Sequence, residues 1–127
     1  MKRFLGQHKI LGNTGEQVAR KYYENKGYLI LLSNFRTKNA ELDFVAKKDN
    51  KLAFVEVKTL EIDEKDNLLA EDNFGWLKRK NMKRAIEQYL FKEKPSYKEI
   101  SIDLACVYYH TREAKWTIKL YENIILE

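Results

Sequence analysis

Three carboxylates and one ammonium group interrupt the most strand-like stretch of this sequence, AELDFVAKKDNKLAFVEVKTL at residues 40–60. The acids are Glu41, Asp43 and Glu56, and the ammonium group belongs to Lys58. Carboxylates in this number suit Mg²⁺ or Mn²⁺, which bind one or two of them together with waters and phosphate oxygens. A lysine beside such an ion can orient a nucleophilic water or stabilise charge on a phosphorus transition state. These residue types therefore fit metal-assisted hydrolysis of a phosphate ester, provided that the fold brings them together.

A two-residue hairpin loop at positions 49–50, where Asp and Asn both tolerate positive φ, would bring the charged residues together. The pairing then matches Asp43 with Glu56 and Glu41 with Lys58, and strand alternation gathers all four at the open end of one face. The opposite face is wholly apolar and consists of Leu42, Phe44, Ala46, Ala53, Val55 and Val57. Facing carboxylates about 4 Å apart repel by about 4 kcal/mol at an effective dielectric constant of about 20.

Three arrangements relieve this repulsion: protonation of one acid, full solvation of the charges, or a divalent cation between the carboxylates. The plainest alternative to a metal site is a solvated hairpin end with a weak Glu41–Lys58 ion pair. The acid-x-Lys pattern alone is common in this lysine-rich chain, for example at Glu24 and Glu113. At Glu56 it lies in a strand and faces a second acid, so the hypothesis depends on the register. A three-residue loop would shift that register by one residue and separate the charges.

The surrounding sequence predicts one α/β domain over residues 1–127, with helices packed on a mixed sheet. Thr14 and Gln17 form a capping box that begins the first predicted helix, and Gly27 follows its end. Glu16 then falls in the first turn, where the helix dipole alone would favour an acid. The predicted order is helix, three strands, helix, two strands, with bounds of 14–26, 28–32, 40–47, 51–58, 75–92, 100–108 and 116–121.

The charge distribution favours a polyanionic partner. The chain has 127 residues and a net charge of +5, but residues 59–73 hold six acids against one lysine, so the rest carries a net +10. A basic body of this kind suggests nucleic acid, although basic proteins are also common for reasons of solubility. The acidic segment 59–73 is long for a loop, and we interpret it either as a substrate gate or as an inert connection.

One face of the second predicted helix is basic. Beside a metal-bound phosphate such a face is a plausible track for a nucleic-acid backbone; otherwise it is simply a solvated surface. We expect the nucleic-acid contacts to come from Lys78, Arg79, Lys80 and Lys83.

Cysteine content and hydropathy limit the class of protein. The single cysteine, Cys106, excludes a disulfide framework and lies in an apolar run that indicates the core. No stretch reaches the roughly 18 apolar residues of a membrane-spanning helix. The first residues also lack the apolar segment of a secretory signal. We therefore expect a cytoplasmic protein.

The hairpin arrangement of Asp43 with Glu56-x-Lys58 resembles the PD-(D/E)xK nuclease core, and the whole chain more closely resembles the YraN family of small bacterial proteins. That family is regarded as endonuclease-like and is similar in fold to archaeal Holliday-junction resolvases. The matching text consists of Gly15-Glu16 with Ala19, GYLILLSNFR at 27–36, AELDFVA at 40–46, FVEVKT at 54–59, Lys78 with RAIEQYL at 84–90, and ISIDLACV at 100–107. The sequence departs from the family at Ala40, where glycine is usual, and at Leu60, where an arginine often follows.

The resemblance implies a restriction-endonuclease-like αβββαβ core and Mg²⁺- or Mn²⁺-dependent hydrolysis of nucleic-acid phosphodiester bonds, in DNA before RNA and including branched DNA. It makes Asp43 and Glu56 metal ligands, Glu16 an additional acid at the metal, and Lys58 the catalytic lysine. Glu41 receives an orienting or salt-bridging role. Resolvase-like nucleases usually act as dimers, which would make this chain a homodimer. The alternatives are a non-catalytic nucleic-acid-binding module of the same fold and an interaction protein with a remnant site.

Overall fold

The computed structural model describes residues 5–62 and 76–126 and contains two helices and five strands there. The elements are α1 (Leu5–Asn25), β1 (Leu29–Thr37), β2 (Ala40–Lys48), β3 (Lys51–Ile62), α2 (Trp76–Glu93), β4 (Glu99–His110) and β5 (Lys115–Tyr121). Their types and order confirm the predicted α/β fold. Neither of the helices within the described ranges is long and apolar enough to cross a bilayer.

The five strands form one mixed sheet in the order β1-β2-β3-β4-β5. β3 and β4 are parallel, whereas the other neighbouring pairs are antiparallel. Parallel neighbours need a crossover connection, and α2 lies in the connection between β3 and β4. This arrangement is consistent with a restriction-endonuclease-like core.

The two helices cover opposite faces of the sheet, which we call the α1 face and the α2 face. The α1 face is built from Ala19, Tyr23, Phe44, Ala46, Ala53, Val55, Ala105 and Val107. The α2 face has its own buried cluster, which includes Leu42, Val45, Leu52, Phe54, Met82, Ala85, Ile86, Tyr89, Leu104 and Cys106. Cys106 is fully buried, which confirms its prediction as a core residue. Because both faces are covered, the central strands are apolar on both sides near the hairpin turn.

Helix α1 begins at Leu5, so the predicted start at Thr14 is wrong. Glycines at positions 6, 12 and 15 each disfavour a helix by about 1 kcal/mol relative to alanine. For this reason the sequence pattern did not predict a helix before Thr14. The predicted end is confirmed, because Gly27 has a φ of 95°. Its N–H donates to the Glu24 carbonyl, and the Tyr28 N–H donates to that of Tyr23, the two bonds of a Schellman motif.

Strands β1 and β3 are longer than predicted. β1 continues through Ser33 and Asn34 to Thr37 because its backbone stays paired with β2. β3 continues to Ile62, paired in parallel with β4 as far as His110. The acidic connection therefore begins after Ile62 rather than at Thr59, and the rest of the predicted loop, 63–73, lies outside the described residues.

Candidate metal centre

The β2–β3 hairpin has the predicted register from the turn as far as Phe44, but the predicted Asp43–Glu56 and Glu41–Lys58 backbone pairs are not formed. Phe44 pairs with Val55 and Lys48 with Lys51 around a two-residue turn, in which Asp49 has a φ of 53°. The backbone pairing between these strands extends no further than Phe44. Beyond it, the N–H of Val57 donates a 2.7 Å hydrogen bond to Oδ2 of Asp43. A side chain thus replaces a backbone carbonyl as the partner of β3, which indicates that β2 separates from β3 at Asp43.

The side-chain alternation of β2 also breaks at Asp43. Phe44 and Ala46 lie on the α1 face, as expected, but Leu42 lies on the α2 face together with Val45. The prediction that Leu42 shares an apolar face with Phe44 is therefore wrong. The break lies where β2 leaves β3 and where Asn34 of β1, between the pairs Ser33–Phe44 and Phe35–Leu42, has a left-handed φ of 57°.

Glu41, Asp43 and Glu56 form what we call the carboxylate cluster. One carboxylate oxygen from each lies within 4.8 Å of the other two. Asp43 is 3% exposed and Glu56 is 1% exposed, so the predicted gathering of acids is confirmed and the alternative of a solvated hairpin end is wrong. Burial of like charges is costly unless a positive charge compensates them.

The donor set fits a divalent cation. Hard carboxylate oxygens are the ligands that Mg²⁺ and Mn²⁺ prefer. The six ligands of Mg²⁺ lie about 2.1 Å from the ion and hence about 3–4 Å from one another. Oxygens already within 4.8 Å of each other need only small side-chain movements to reach that geometry.

Helix α1 adds a fourth acid to this region. The pKa of Glu16 is raised, first by burial, then by the negative charge of Asp43 and by a hydrogen bond with its carboxyl group. Since α1 begins at Leu5, Glu16 is not in the first turn, and the helix dipole does not account for its presence. The structure thus brings Glu16 and Asp43 together, as the resemblance implied.

Gly15 explains how α1 comes so close to β3. A Cβ atom at Gly15 would lie 2.1 Å from Oγ1 and 2.9 Å from Cγ2 of Thr59. No real Cβ approaches a neighbour so closely, so any larger residue would push the helix or the threonine aside. Glycine at this position therefore allows Glu16, the next residue, to reach Asp43.

Two arginines that the sequence analysis did not single out lie beside these acids. Nη1 of Arg36 on β1 lies 2.8 Å from Oε1 of Glu41, which confirms a salt-bridging role for that acid. Nη1 of Arg20 lies 3.9 Å from Oε2 of Glu16. The i,i+4 spacing from Glu16 could have drawn attention to Arg20. Arg36 could not be found in this way, because the first strand was predicted to end at residue 32.

Lys58 lies two residues after Glu56 on β3, so alternation directs both side chains to the same face. Lys58 is half-buried, at the level of Cys106 on β4. The predicted Glu41–Lys58 pair lies beyond the paired segment of β2 and β3, and the role of Lys58 as the catalytic lysine stays a prediction.

The basic residues of α2 point away from the sheet. Arg79, Lys80 and Lys83 are exposed. Met82 and Ala85, on the other side of the helix, are buried against the α2 face. Lys78 belongs to α2, but its side chain lies outside the described part of the chain. The helix thus has the expected basic surface, on the opposite side of the sheet from α1; its role as a nucleic-acid contact stays a prediction.

Asp103 is a buried acid with a structural explanation. It is 1% exposed and accepts hydrogen bonds from the Tyr23 hydroxyl at 2.5 Å, the Ser101 hydroxyl and the Asn123 N–H. Burial, followed by the charge and hydrogen bond of Asp103, raises the pKa of Tyr23. The bond joins α1 to β4, so Asp103 serves the packing of α1 rather than the carboxylate cluster.

The profile of the uncharacterised protein family UPF0102 matches residues 15–107, a range that contains all four acids and both arginines. This chain belongs to the UPF0102 family. The resemblance to the YraN family is thereby confirmed. A UPF0102 protein of Campylobacter lari is 37% identical over 115 residues, which cover 91% of this chain and 93% of the relative.

Two further UPF0102 proteins show that the similarity extends along most of the chain. The protein of Caldicellulosiruptor saccharolyticus is 32% identical over 120 residues, covering 89% of this chain and 94% of the relative. That of Syntrophomonas wolfei is 36% identical over 102 residues, covering 79% and 85%. The family description names no activity.

Proposed function

We propose that this UPF0102 protein is a metal-dependent endonuclease that hydrolyses phosphodiester bonds in nucleic acid, with DNA, including branched DNA, as the expected substrate. The observation that carries the proposal is the carboxylate cluster, in which oxygens of Glu41, Asp43 and Glu56 lie within 4.8 Å of one another. Two of these acids are almost fully buried. Such a cluster lowers the stability of a fold without a cation, but it is usual at a cation-binding site.

The four acids suit different parts of this chemistry. Asp43 and Glu56, the most buried, would hold the ion, and Glu16 would join them from α1. When bound, Mg²⁺ or Mn²⁺ would supply an acidified water and would polarise the phosphoryl oxygens. Glu41 is held by Arg36, so it would help to orient the cluster from the side of β1.

Lys58 is the residue that we expect to support the nucleophile. Its ammonium group follows Glu56 by two residues on the same face of β3. A positive charge at this place would orient a water by hydrogen bonding and would stabilise the negative charge that develops on the phosphate. Lys58 would contribute through its charge, so a neutral replacement should impair catalysis more than binding.

A second candidate function is binding of nucleic acid without catalysis. The exposed basic surface of α2, with Arg79, Lys80 and Lys83, favours it because such a surface binds phosphates without any metal. An interaction protein in which the carboxylate cluster is a remnant would instead show neither metal binding nor nucleic-acid binding.

The deciding experiment is a cleavage assay with Mn²⁺ or Mg²⁺ on single-stranded DNA, duplex DNA, four-way-junction DNA and RNA. We expect cleavage by the wild type, loss of cleavage with EDTA, and little or none by Lys58→Ala. Nucleic-acid binding without cleavage of any substrate would support the binding module and would contradict the enzyme. A parallel thermal-shift measurement with Mn²⁺ shows whether the variant is folded and still binds the ion.

A further inference from the structure

We propose that Arg20 and Arg36 form a guanidinium pair that binds the phosphate group undergoing hydrolysis at the carboxylate cluster. This inference rests on the proposed function and assigns a substrate-binding role to two residues for which the sequence patterns suggested none. It identifies the ligand as a phosphodiester monoanion, held from the side of α1 and β1.

The positions of the two arginines support the pair. Arg20 on α1 lies 3.9 Å from Glu16, and Arg36 on β1 lies 2.8 Å from Glu41. Glu41 belongs to the carboxylate cluster, and Gly15, the neighbour of Glu16, lies against Thr59 on β3, the strand that carries Glu56. Two guanidinium groups from different elements therefore converge on the same set of acids.

The charge balance of the site shows what the two arginines add when all four acids are ionised. Fully ionised, Glu16, Glu41, Asp43 and Glu56 carry four negative charges. A divalent cation together with Lys58 compensates three of them, and the remaining negative charge would repel a phosphodiester. Addition of Arg20 and Arg36 leaves the site with one net positive charge, which matches a phosphodiester monoanion.

The exposure of the side chains shows from which side a phosphate can approach. Asp43 and Glu56 are buried, whereas the side chain of Glu41 is 32% exposed and that of Arg36 is 55% exposed. The site thus opens to solvent on the side of β1, where Arg36 lies. A guanidinium group remains charged at any physiological pH and can donate two parallel hydrogen bonds to one phosphate.

Arg20 has unused hydrogen-bonding capacity. Its Nη1 atom is buried and finds no hydrogen-bond acceptor within the described part of the chain. The nearest acidic oxygen, Oε2 of Glu16, lies beyond hydrogen-bonding distance at 3.9 Å. A buried donor without an acceptor is unfavourable, and a phosphate oxygen would satisfy it.

The test compares Arg20→Gln, Arg36→Gln and the matched control Lys115→Gln. Lys115, the first residue of β5, is like Arg36 an exposed cation in an ion pair, since its Nζ lies 2.7 Å from Oε2 of Glu113 in the preceding turn. Two quantities are measured: Mn²⁺ affinity by calorimetry, and Mn²⁺-dependent hydrolysis of the minimal phosphodiester bis(p-nitrophenyl) phosphate. A minimal substrate removes the contribution of distant basic surfaces.

We expect the arginine variants to lose activity without losing affinity for Mn²⁺. Loss of either arginine should lower kcat/KM about ten- to hundredfold, because a charge-assisted hydrogen bond to the phosphate is lost. The same variants should bind Mn²⁺ as tightly as the wild type or more tightly, because a competing cation has left the acids. Lys115→Gln should change neither quantity, and Arg36→Lys should recover part of the activity, since it restores the charge but not the planar fork.

Each other outcome contradicts a specific statement. If the wild type hydrolyses the substrate and both arginine variants match Lys115→Gln, the guanidinium pair is wrong while the proposed function stands. If the arginine variants, including Arg36→Lys, lose Mn²⁺ binding together with activity, the arginines only support the fold of the site. If the wild type hydrolyses neither this substrate nor nucleic acid, the proposed function fails, and the substrate-binding role of the arginines fails with it.

Discussion

The backbone N–H of Val57 donates a hydrogen bond to the side chain of Asp43, at the point where β2 leaves β3. The same carboxylate lies against Glu16 and within the carboxylate cluster. Under the proposed function Asp43 has two separable duties: its oxygen accepts the hydrogen bond that links the strands, and its charge would attract a cation.

Substitution of Asp43 can separate these duties. Asp43→Asn keeps an oxygen that accepts the Val57 N–H but removes a negative charge. We expect the metal-free variant to be more stable than the wild type by up to about 1 kcal/mol, since repulsion between like charges is relieved. Asp43→Ala also loses the hydrogen bond and should be less stable than the Asn variant by about 1–3 kcal/mol.

The stabilisation by Mn²⁺ tests whether the negative charge of Asp43 is needed to bind the ion. At a concentration of about 100 times Kd, Mn²⁺ should stabilise the wild type by about 2.7 kcal/mol, and EDTA should reverse the effect. Mn²⁺ should stabilise Asp43→Asn much less. Thermal and urea unfolding, with and without the ion, measure the difference. An Asn variant that gains as much as the wild type would exclude Asp43 as a ligand.

Gly15 should tolerate no larger residue. Gly15→Ala gains about 1 kcal/mol of helix propensity, but its Cβ meets Thr59 at a distance that forces a shift. Overpacking of this kind costs about 1–3 kcal/mol, so we expect a net destabilisation and a weaker Mn²⁺ response through the displaced Glu16. In the double variant with Thr59→Ala, which removes Oγ1 and Cγ2, part of both losses should be recovered. Equal effects of Gly15→Ala with and without Thr59→Ala would show that the helix does not press on that threonine.

The Tyr23–Asp103 bond should make the fold sensitive to alkali. The pKa of Tyr23 is raised in the fold above its usual value of about 10. The unfolded chain therefore loses the tyrosine proton first, so the contribution of this group is complete below about pH 10 and falls as the pH rises toward the folded pKa. Tyr23→Phe should cost about 1–3 kcal/mol at pH 7, because it removes a donor from the buried Asp103.

The pH profile of unfolding checks this assignment. Between about pH 9 and pH 11, the free energy of unfolding of the wild type should fall more steeply than that of Tyr23→Phe. Tyr97→Phe is the matched control, because Tyr97 is 40% exposed. Parallel profiles for the wild type and Tyr23→Phe would show that another group governs the alkaline limit.

The basic surface of α2 predicts a salt effect. If Lys80 and Lys83 contact phosphates of duplex DNA, each neutral substitution should reduce the slope of log K against log salt concentration by about 0.9. Fluorescence anisotropy with Ca²⁺ in place of Mn²⁺ measures binding without cleavage. The control variant Lys115→Gln should have the same salt slope as the wild type. An unchanged slope for Lys80→Gln and Lys83→Gln would exclude α2 as the contact surface.

The parts of the fold that depend on local chemistry were predictable from the sequence. The two-residue turn at Asp49 determines the hairpin register, and with it the proximity of Asp43 and Glu56. The end of α1 followed from Gly27, since few other residues adopt its φ. The true start of α1 was hidden because three glycines weaken a helix that tertiary packing nevertheless stabilises.

The remaining parts of the site depend on contacts between elements distant in sequence. Arg36 reaches Glu41 only because β1 continues past Asn34, where backbone pairing with β2 outweighs the local turn signal. The break in alternation at Asp43 arises where β2 follows one neighbour and leaves the other, which no pattern within a single strand reveals. Burial of the acids was missed for the same reason, because it requires α1 and its close approach at Gly15.

The Tyr23–Asp103 bond also acts at a distance along α1. Glu16 and Tyr23 are seven residues apart, or two helical turns and about 10.5 Å, so they lie on the same side of the helix. A bond that fixes the rotation of α1 at Tyr23 consequently fixes the angle at which Glu16 meets Asp43. Substitution of Tyr23 or Asp103 would therefore change the affinity of the carboxylate cluster for a cation, although none of the ligands is altered. Helix α1 thus couples a hydrogen bond on β4 to the position of Glu16 at the carboxylate cluster.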